Sequence, residues 1–155
     1  MEQKEEIAFF PSPVKRTRTL SQAQVTEFNE LGYISPLDAL TPAETTANRT
    51  YFDDLLAQVQ AFDDGRNAYS IMGYQNYCRG IWDLAQHPGI LDYVEDLLGP
   101  DFVCWSTHYF CKLPQESKHV PWHQDASYWP VRPTKTVTVW LAIDDVDPAN
   151  APMRF

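Results

Sequence analysis

Thr136-Val137-Thr138-Val139-Trp140-Leu141-Ala142-Ile143-Asp144 alternates between two kinds of side chain. Val137, Val139, Leu141 and Ile143 share one face, and Thr136, Thr138, Trp140 and Ala142 share the other. Alternation of this kind predicts a strand, because successive side chains of a strand point to opposite sides. The aliphatic face suits packing against helices, and the mixed face with Trp140 suits the lumen of a small barrel. Residues 102–113, which are aromatic, β-branched or small, predict a second strand.

Upstream, the period becomes that of helices. Residues 20–33 predict a first helix: Ser21 can cap it, Val25, Phe28 and Leu31 give an apolar stripe, and Gly32 can end it. A second starts at Thr41, which makes a capping box with Glu44 and is followed by Pro42 at a tolerated position. Its stripe is Phe52, Leu55, Leu56, Val59 and Phe62, and it runs out at Asp63-Asp64-Gly65. Residues 66–77 are ambiguous, and residues 81–86 predict a short helix. Residues 88–98 predict another, opened by Pro88, with Ile90, Leu91, Val94, Leu97 and Leu98 on one face and Gly99 at its close. Residues 1–19, with Pro11, Pro13 and mixed charge, read as a flexible lead-in, and residues 20–155 as part of a single domain. Helices first and strands later predict an α+β fold with a barrel or jelly roll begun near residue 102.

The composition narrows the function classes. At 155 residues and 44% hydrophobic, the chain can bury a core and is not a disordered sequence. The net charge of −9 and the lack of a basic stripe argue against nucleic acid as a partner. The one basic cluster, Lys15, Arg16 and Arg18, reads as a solvated tail. No apolar run approaches the length of a membrane span, and the acidic start does not read as a signal peptide. Cys78, Cys104 and Cys111 are odd in number and lack CxxC spacing. They read as reduced, mostly buried thiols of a cytoplasmic protein.

Chemistry concentrates in Trp122-His123-Gln124-Asp125. On an extended backbone His123 and Asp125 point to the same side, with Cα atoms roughly 6.5 Å apart. An imidazole and a carboxylate so placed can reach one metal ion at about 2 Å. That supplies two corners of a 2-His-1-carboxylate facial triad, which keeps positions open for O2 and a co-substrate. The pair alone is weak evidence. With four His and thirteen Asp, a chance His-X-Asp arises in roughly one such chain in three, and a surface loop is the bland alternative. Of the other imidazoles, His108 reads as packed on a strand face, His119 as exposed in a loop, and His87 as structural at a helix start.

The wider context carries a resemblance. Glu95-Asp96-Leu97-Leu98-Gly99-Pro100-Asp101 leads into Cys104-Trp105-Ser106 and Phe110-Cys111-Lys112. Then follow Trp122-His123-Gln124-Asp125, Tyr128-Trp129, Val137 to Ile143, and Asn150-Ala151-Pro152-Met153-Arg154-Phe155. In this order and spacing the series resembles the phytanoyl-CoA dioxygenase family, densely from about residue 80 onward and more loosely over residues 20–79. The resemblance implies a double-stranded β-helix of the jelly-roll or cupin-like kind with helices packed outside, incomplete in this chain. It implies Fe(II) held by His123, Asp125 and a second histidine much further along. It also implies 2-oxoglutarate as co-substrate, anchored by a more distant arginine, with ascorbate as an accessory reductant.

By the same resemblance Trp140 lines the co-substrate pocket, against the alternative of a core tryptophan. Gln124 and Trp129 match positions that face substrate, against the alternative of ordinary packing. Lys112, on the preceding strand, could hold a carboxylate if its ammonium turned inward and is otherwise solvated. No catalytic residue beyond the metal ligands is expected. The implied reaction is hydroxylation by O2 of an unactivated C–H bond in a small organic or acyl substrate. The alternatives are an inert fragment, a non-catalytic binding protein of the same fold, and a cupin-type isomerase or other metal enzyme that works without 2-oxoglutarate. A halogenase, which replaces the carboxylate ligand by a small residue, is opposed by Asp125. Two departures stand out. Asn150-Ala151-Pro152 replaces the family's Asn-Gly-Cys, and alanine tolerates positive φ less well than glycine. The family pattern also continues past Phe155, so the 155 residues alone are expected to be inactive.

Overall fold

The computed structural model describes residues 7–62, 70–112, 115, 119–150 and 152–155. Its elements are of the α+β class. Among the described residues, α1 (Gln22–Leu31), α2 (Pro42–Ala61), α3 (Arg79–Ala85) and α4 (Pro88–Leu98) accompany an antiparallel pair, β1 (Ser70–Met72) and β2 (His108–Phe110). None of these helices is long and apolar enough to cross a membrane.

The helix ends follow their capping residues. Ser21 Oγ accepts the Gln24 N–H at 3.2 Å, while Gln24 Oε1 accepts the Ser21 N–H at 2.9 Å. Thr41 and Glu44 form the same reciprocal box on α2. Such a box satisfies donors that no helical carbonyl reaches. Gly32 ends α1 at φ 81°, in the left-handed region that glycine enters without strain. His87 caps α4 by accepting the Gly89 N–H on Nδ1 at 3.2 Å. The expected end of α2 at residues 63–65 lies outside the described residues, as does Ala151 of the altered turn.

Two compact units divide the chain. The first takes residues up to 37, 87–105 and 112–138. Its buried cluster is Leu20, Val25, Phe28 and Leu97, with Tyr93 and Val137 packed against it. Phe9 tilts onto Phe28 with ring centroids 5.6 Å apart. Asp96 is buried at 3% exposure. Its Oδ1 accepts the Arg18 N–H at 2.8 Å, and its Oδ2 accepts those of Thr19 and Leu20 at 2.7 Å each. Burial pushes this carboxyl up, but the three donors and the Arg18 charge outweigh it and hold the group below the usual range. Thr134 ties the later segment in: its Oγ1 donates to the Ala8 carbonyl at 3.0 Å. Lys135 Nζ donates to the Leu98 carbonyl at 3.0 Å, capping the C-terminal end of α4.

The second unit takes residues 38–86, 106–111 and 139 onward. Phe52, Leu55, Val59, Ile71 and Ile81 form its buried cluster. In the ribbon Ile71 lies opposite Tyr109, and both pack on this cluster. Tyr109 stacks at a tilt on Phe52, with centroids 5.0 Å apart, and its hydroxyl donates to Asn48 Oδ1 at 2.9 Å. A Cβ on Gly80 would stand 2.5 Å from the Tyr51 ring, so only glycine allows that approach.

Several expectations need correction. Pairing within residues 102–113 is confined to His108–Phe110, and residues 136–144 carry no ladder among the described residues. A strand is completed by a partner's hydrogen bonds, and alternation alone does not supply one. Val137 packs on the core as its face requires, whereas Val139 is 46% exposed. Phe62, expected in the α2 stripe, lies past the last helical turn and is exposed. Cys104 is exposed rather than buried, outside any strand, and none of the three cysteines is in a disulfide.

Candidate metal centre

The His-X-Asp segment has the local geometry that its spacing requires. Gln124 is extended, with φ −118° and ψ 124°, which sends its two neighbours to one side. The chain then tightens into a 3-10 turn, Asp125–Ser127. Two bonds to the Gln124 carbonyl hold that turn, from the Ser127 N–H at 3.0 Å and from Ser127 Oγ at 2.6 Å. His123 Nε2 and Asp125 Oδ1 meet at 3.2 Å.

The outer atom of each group is engaged elsewhere. His123 Nδ1 lies 2.7 Å from the Pro121 carbonyl, an acceptor, so Nδ1 carries the proton. Nε2 of the neutral ring then offers a lone pair toward the carboxylate. Asp125 Oδ2 accepts the Thr138 hydroxyl at 2.7 Å. Two electron-pair donors therefore face each other, an arrangement satisfied by a second ring proton or by a cation bound to both. Atoms this close, 3.2 Å apart, could both hold one metal ion. Histidine donating its other N–H to a backbone carbonyl, and a carboxylate hydrogen-bonded on its far oxygen, are the habits of metal ligands. The donor set thus fits a metal ion. Tyr128 sets its ring edge against His123, with centroids 5.7 Å apart and planes at 66°.

Among the described residues, no three His, Cys, Asp or Glu side chains converge on one point. Gln124 is exposed, and Trp129 is half-buried with its carbonyl accepting from Arg132 Nη1 at 3.2 Å. Lys112 is exposed, two residues past the end of β2. Trp140 belongs to the second unit, where it is exposed. His108 lies against Phe110 with centroids 3.7 Å apart, and His119 is exposed. Thr138 is absent from the site expected on sequence grounds. The alternation set Thr138 on the face opposite Val137, but nothing in the sequence paired it with Asp125.

The family model for phytanoyl-CoA dioxygenase (PhyH) matches residues 28–155. A Caenorhabditis elegans protein named probable phytanoyl-CoA dioxygenase is 29% identical over 112 residues, covering 66% of this chain and 35% of its own. The peroxisomal phytanoyl-CoA dioxygenases of Bos taurus and Homo sapiens are 26% and 25% identical over 124 residues, 76% of this chain and 33% of theirs. The chain spans about a third of the length of these curated relatives. No solved structure matches.

Proposed function

The chain belongs to the phytanoyl-CoA dioxygenase family, and from that premise we propose that the whole protein is a non-haem Fe(II)- and 2-oxoglutarate-dependent oxygenase. It hydroxylates an unactivated C–H bond of a small organic or acyl substrate. The observation that supports this best is the convergence of His123 Nε2 and Asp125 Oδ1 at 3.2 Å with both outer atoms engaged.

In this reading His123 and Asp125 hold iron, and a histidine further along the whole protein completes the triad. Bound iron and 2-oxoglutarate supply the activation of O2, with ascorbate keeping the metal reduced. The chain's own residues orient and shelter that chemistry. The Pro121 carbonyl fixes the His123 tautomer, and the Tyr128 ring packs against the imidazole. Gln124, between the two ligands in sequence, and Trp129, four residues past Asp125, face the substrate. Trp140 and Lys112 serve the co-substrate, Lys112 as a counter-charge to its carboxylate. Two protein ligands do not make a facial triad, so the activity belongs to the whole protein. A cytoplasmic location is the companion proposal, resting on three thiols outside any disulfide.

The test is succinate formation from 2-oxoglutarate by the full-length protein with Fe(II) and a panel of free acids and acyl thioesters. Asp125→Ala is expected to lower substrate-linked succinate by at least about 100-fold. Turnover near the parent's rate in that variant would remove Asp125 from the ligand set.

A further inference from the structure

Thr138 lies thirteen residues beyond Asp125, yet its Oγ1 donates to Asp125 Oδ2 at 2.7 Å. Hydroxyl-to-carboxylate bonds of this length are charge-assisted and about twice as strong as neutral ones. The backbone that presents Thr138 is itself anchored. Val137, its neighbour, packs on the cluster of Leu20, Val25, Phe28 and Leu97. Lys135 and Thr134 are bonded to Leu98 and Ala8. Thr138 itself is exposed, while Val137 beside it packs inward. Threonine, branched at Cβ, also has few rotamers to lose.

An aspartate with two free oxygens can bind a metal through one or both. Here Oδ2 is occupied by Thr138, and Oδ1 alone faces His123 Nε2. We infer that Thr138 is a positioning residue that holds Asp125 as a one-oxygen ligand, leaving the neighbouring coordination position for an incoming molecule. A carboxylate binding through both oxygens would fill a position that the facial arrangement needs open. This inference rests on the metal reading of His123 and Asp125.

The test is titration of the full-length protein with Co(II), following both affinity and the visible d–d absorption of the bound ion. Thr138→Val keeps the shape and removes the hydroxyl, and Thr138→Ser keeps the hydroxyl. The valine variant is expected to bind Co(II) about tenfold more weakly, with a shifted d–d band from the changed oxygen count. The serine variant is expected to restore both to within about twofold of the parent. A valine variant with the parent's affinity and spectrum would overturn the role of Thr138 while leaving the metal site standing. A serine variant as weak as valine would show that the hydroxyl is not the cause, and would overturn it too. A parent chain that binds no Co(II), or an Asp125→Ala chain that binds it unchanged, would overturn the metal reading and this inference together.

Discussion

Asp96 in the first unit and Ile71 in the second are shielded from water to nearly the same degree, 3% and 2% exposed. They hold their surroundings by opposite means. Asp96 gathers the N–H groups of Arg18, Thr19 and Leu20 and so fixes the chain entering α1. Its contribution is electrostatic and local to three donors. Ile71 fills space against Phe52, Leu55, Val59 and Ile81, and its contribution is apolar area and close contact. The contrast teaches where each unit is vulnerable. The second should respond to volume, and the first to charge and acid. The metal candidates lie in the first unit, which also holds Thr138 through Val137 and Thr134.

Truncation of the apolar cluster should have the largest effect. Phe52→Ala removes a ring that touches both the cluster and Tyr109, and should destabilise by about 3–5 kcal/mol. Urea unfolding would measure it, with amide exchange showing whether α2 loses protection first. A loss under about 1 kcal/mol would mean that the cluster is not close-packed. Next comes Asp96→Ala, which strands three backbone donors and should cost about 2–4 kcal/mol. If it cost no more than a surface change, the clamp would be incidental. Gly80→Ala should cost about 1–3 kcal/mol, because the added methyl meets the Tyr51 ring.

The same contrast has a pH signature. The Asp96 carboxyl is held below its usual value in the fold. Its stabilisation is therefore present above the ordinary carboxylate value of about 3.9 and is lost as the pH falls below it. Asp96→Asn should flatten that acid limb of the stability curve. Tyr109 titrates in the opposite sense. Burial, and then the nearby Tyr51, push its hydroxyl up to about 12. Its stabilisation is complete below the ordinary tyrosine value of about 10 and falls as the pH rises from there through the folded value. Tyr109→Phe should remove that alkaline loss. An unchanged acid limb in Asp96→Asn would contradict the electrostatic account of the first unit.

The helices were legible because their signals are local. Ser21 and Gln24, Thr41 and Glu44, Pro88 and Gly99 mark ends that depend on neighbours within a turn. The α2 stripe was legible up to Phe62, where the helix had ended. Strands were legible as alternation but not as pairing, since a ladder depends on residues far along the chain. Thus β1 escaped notice, and residues 136–144 showed a correct inward Val137 without a ladder. In the candidate site, His123 and Asp125 were readable from their spacing. Thr138 and the Pro121 carbonyl were not, because a hydrogen bond across thirteen residues and a main-chain acceptor leave no motif. Asp96 was visible only as one acidic residue on a helix, and its three donors come from a segment about seventy-seven residues earlier.

Of the four histidines in these 155 residues, His123 alone is assigned to the metal. Side-chain nitrogen NMR of the full-length protein tests this directly, using sub-stoichiometric Mn(II) as a paramagnetic probe. The His123 imidazole signals are expected to broaden first, while those of His87, His108 and His119 stay sharp, and Asp125→Ala is expected to abolish the selectivity. Equal broadening of all four rings, first broadening at exposed His119, or selective broadening that survives Asp125→Ala would contradict that assignment.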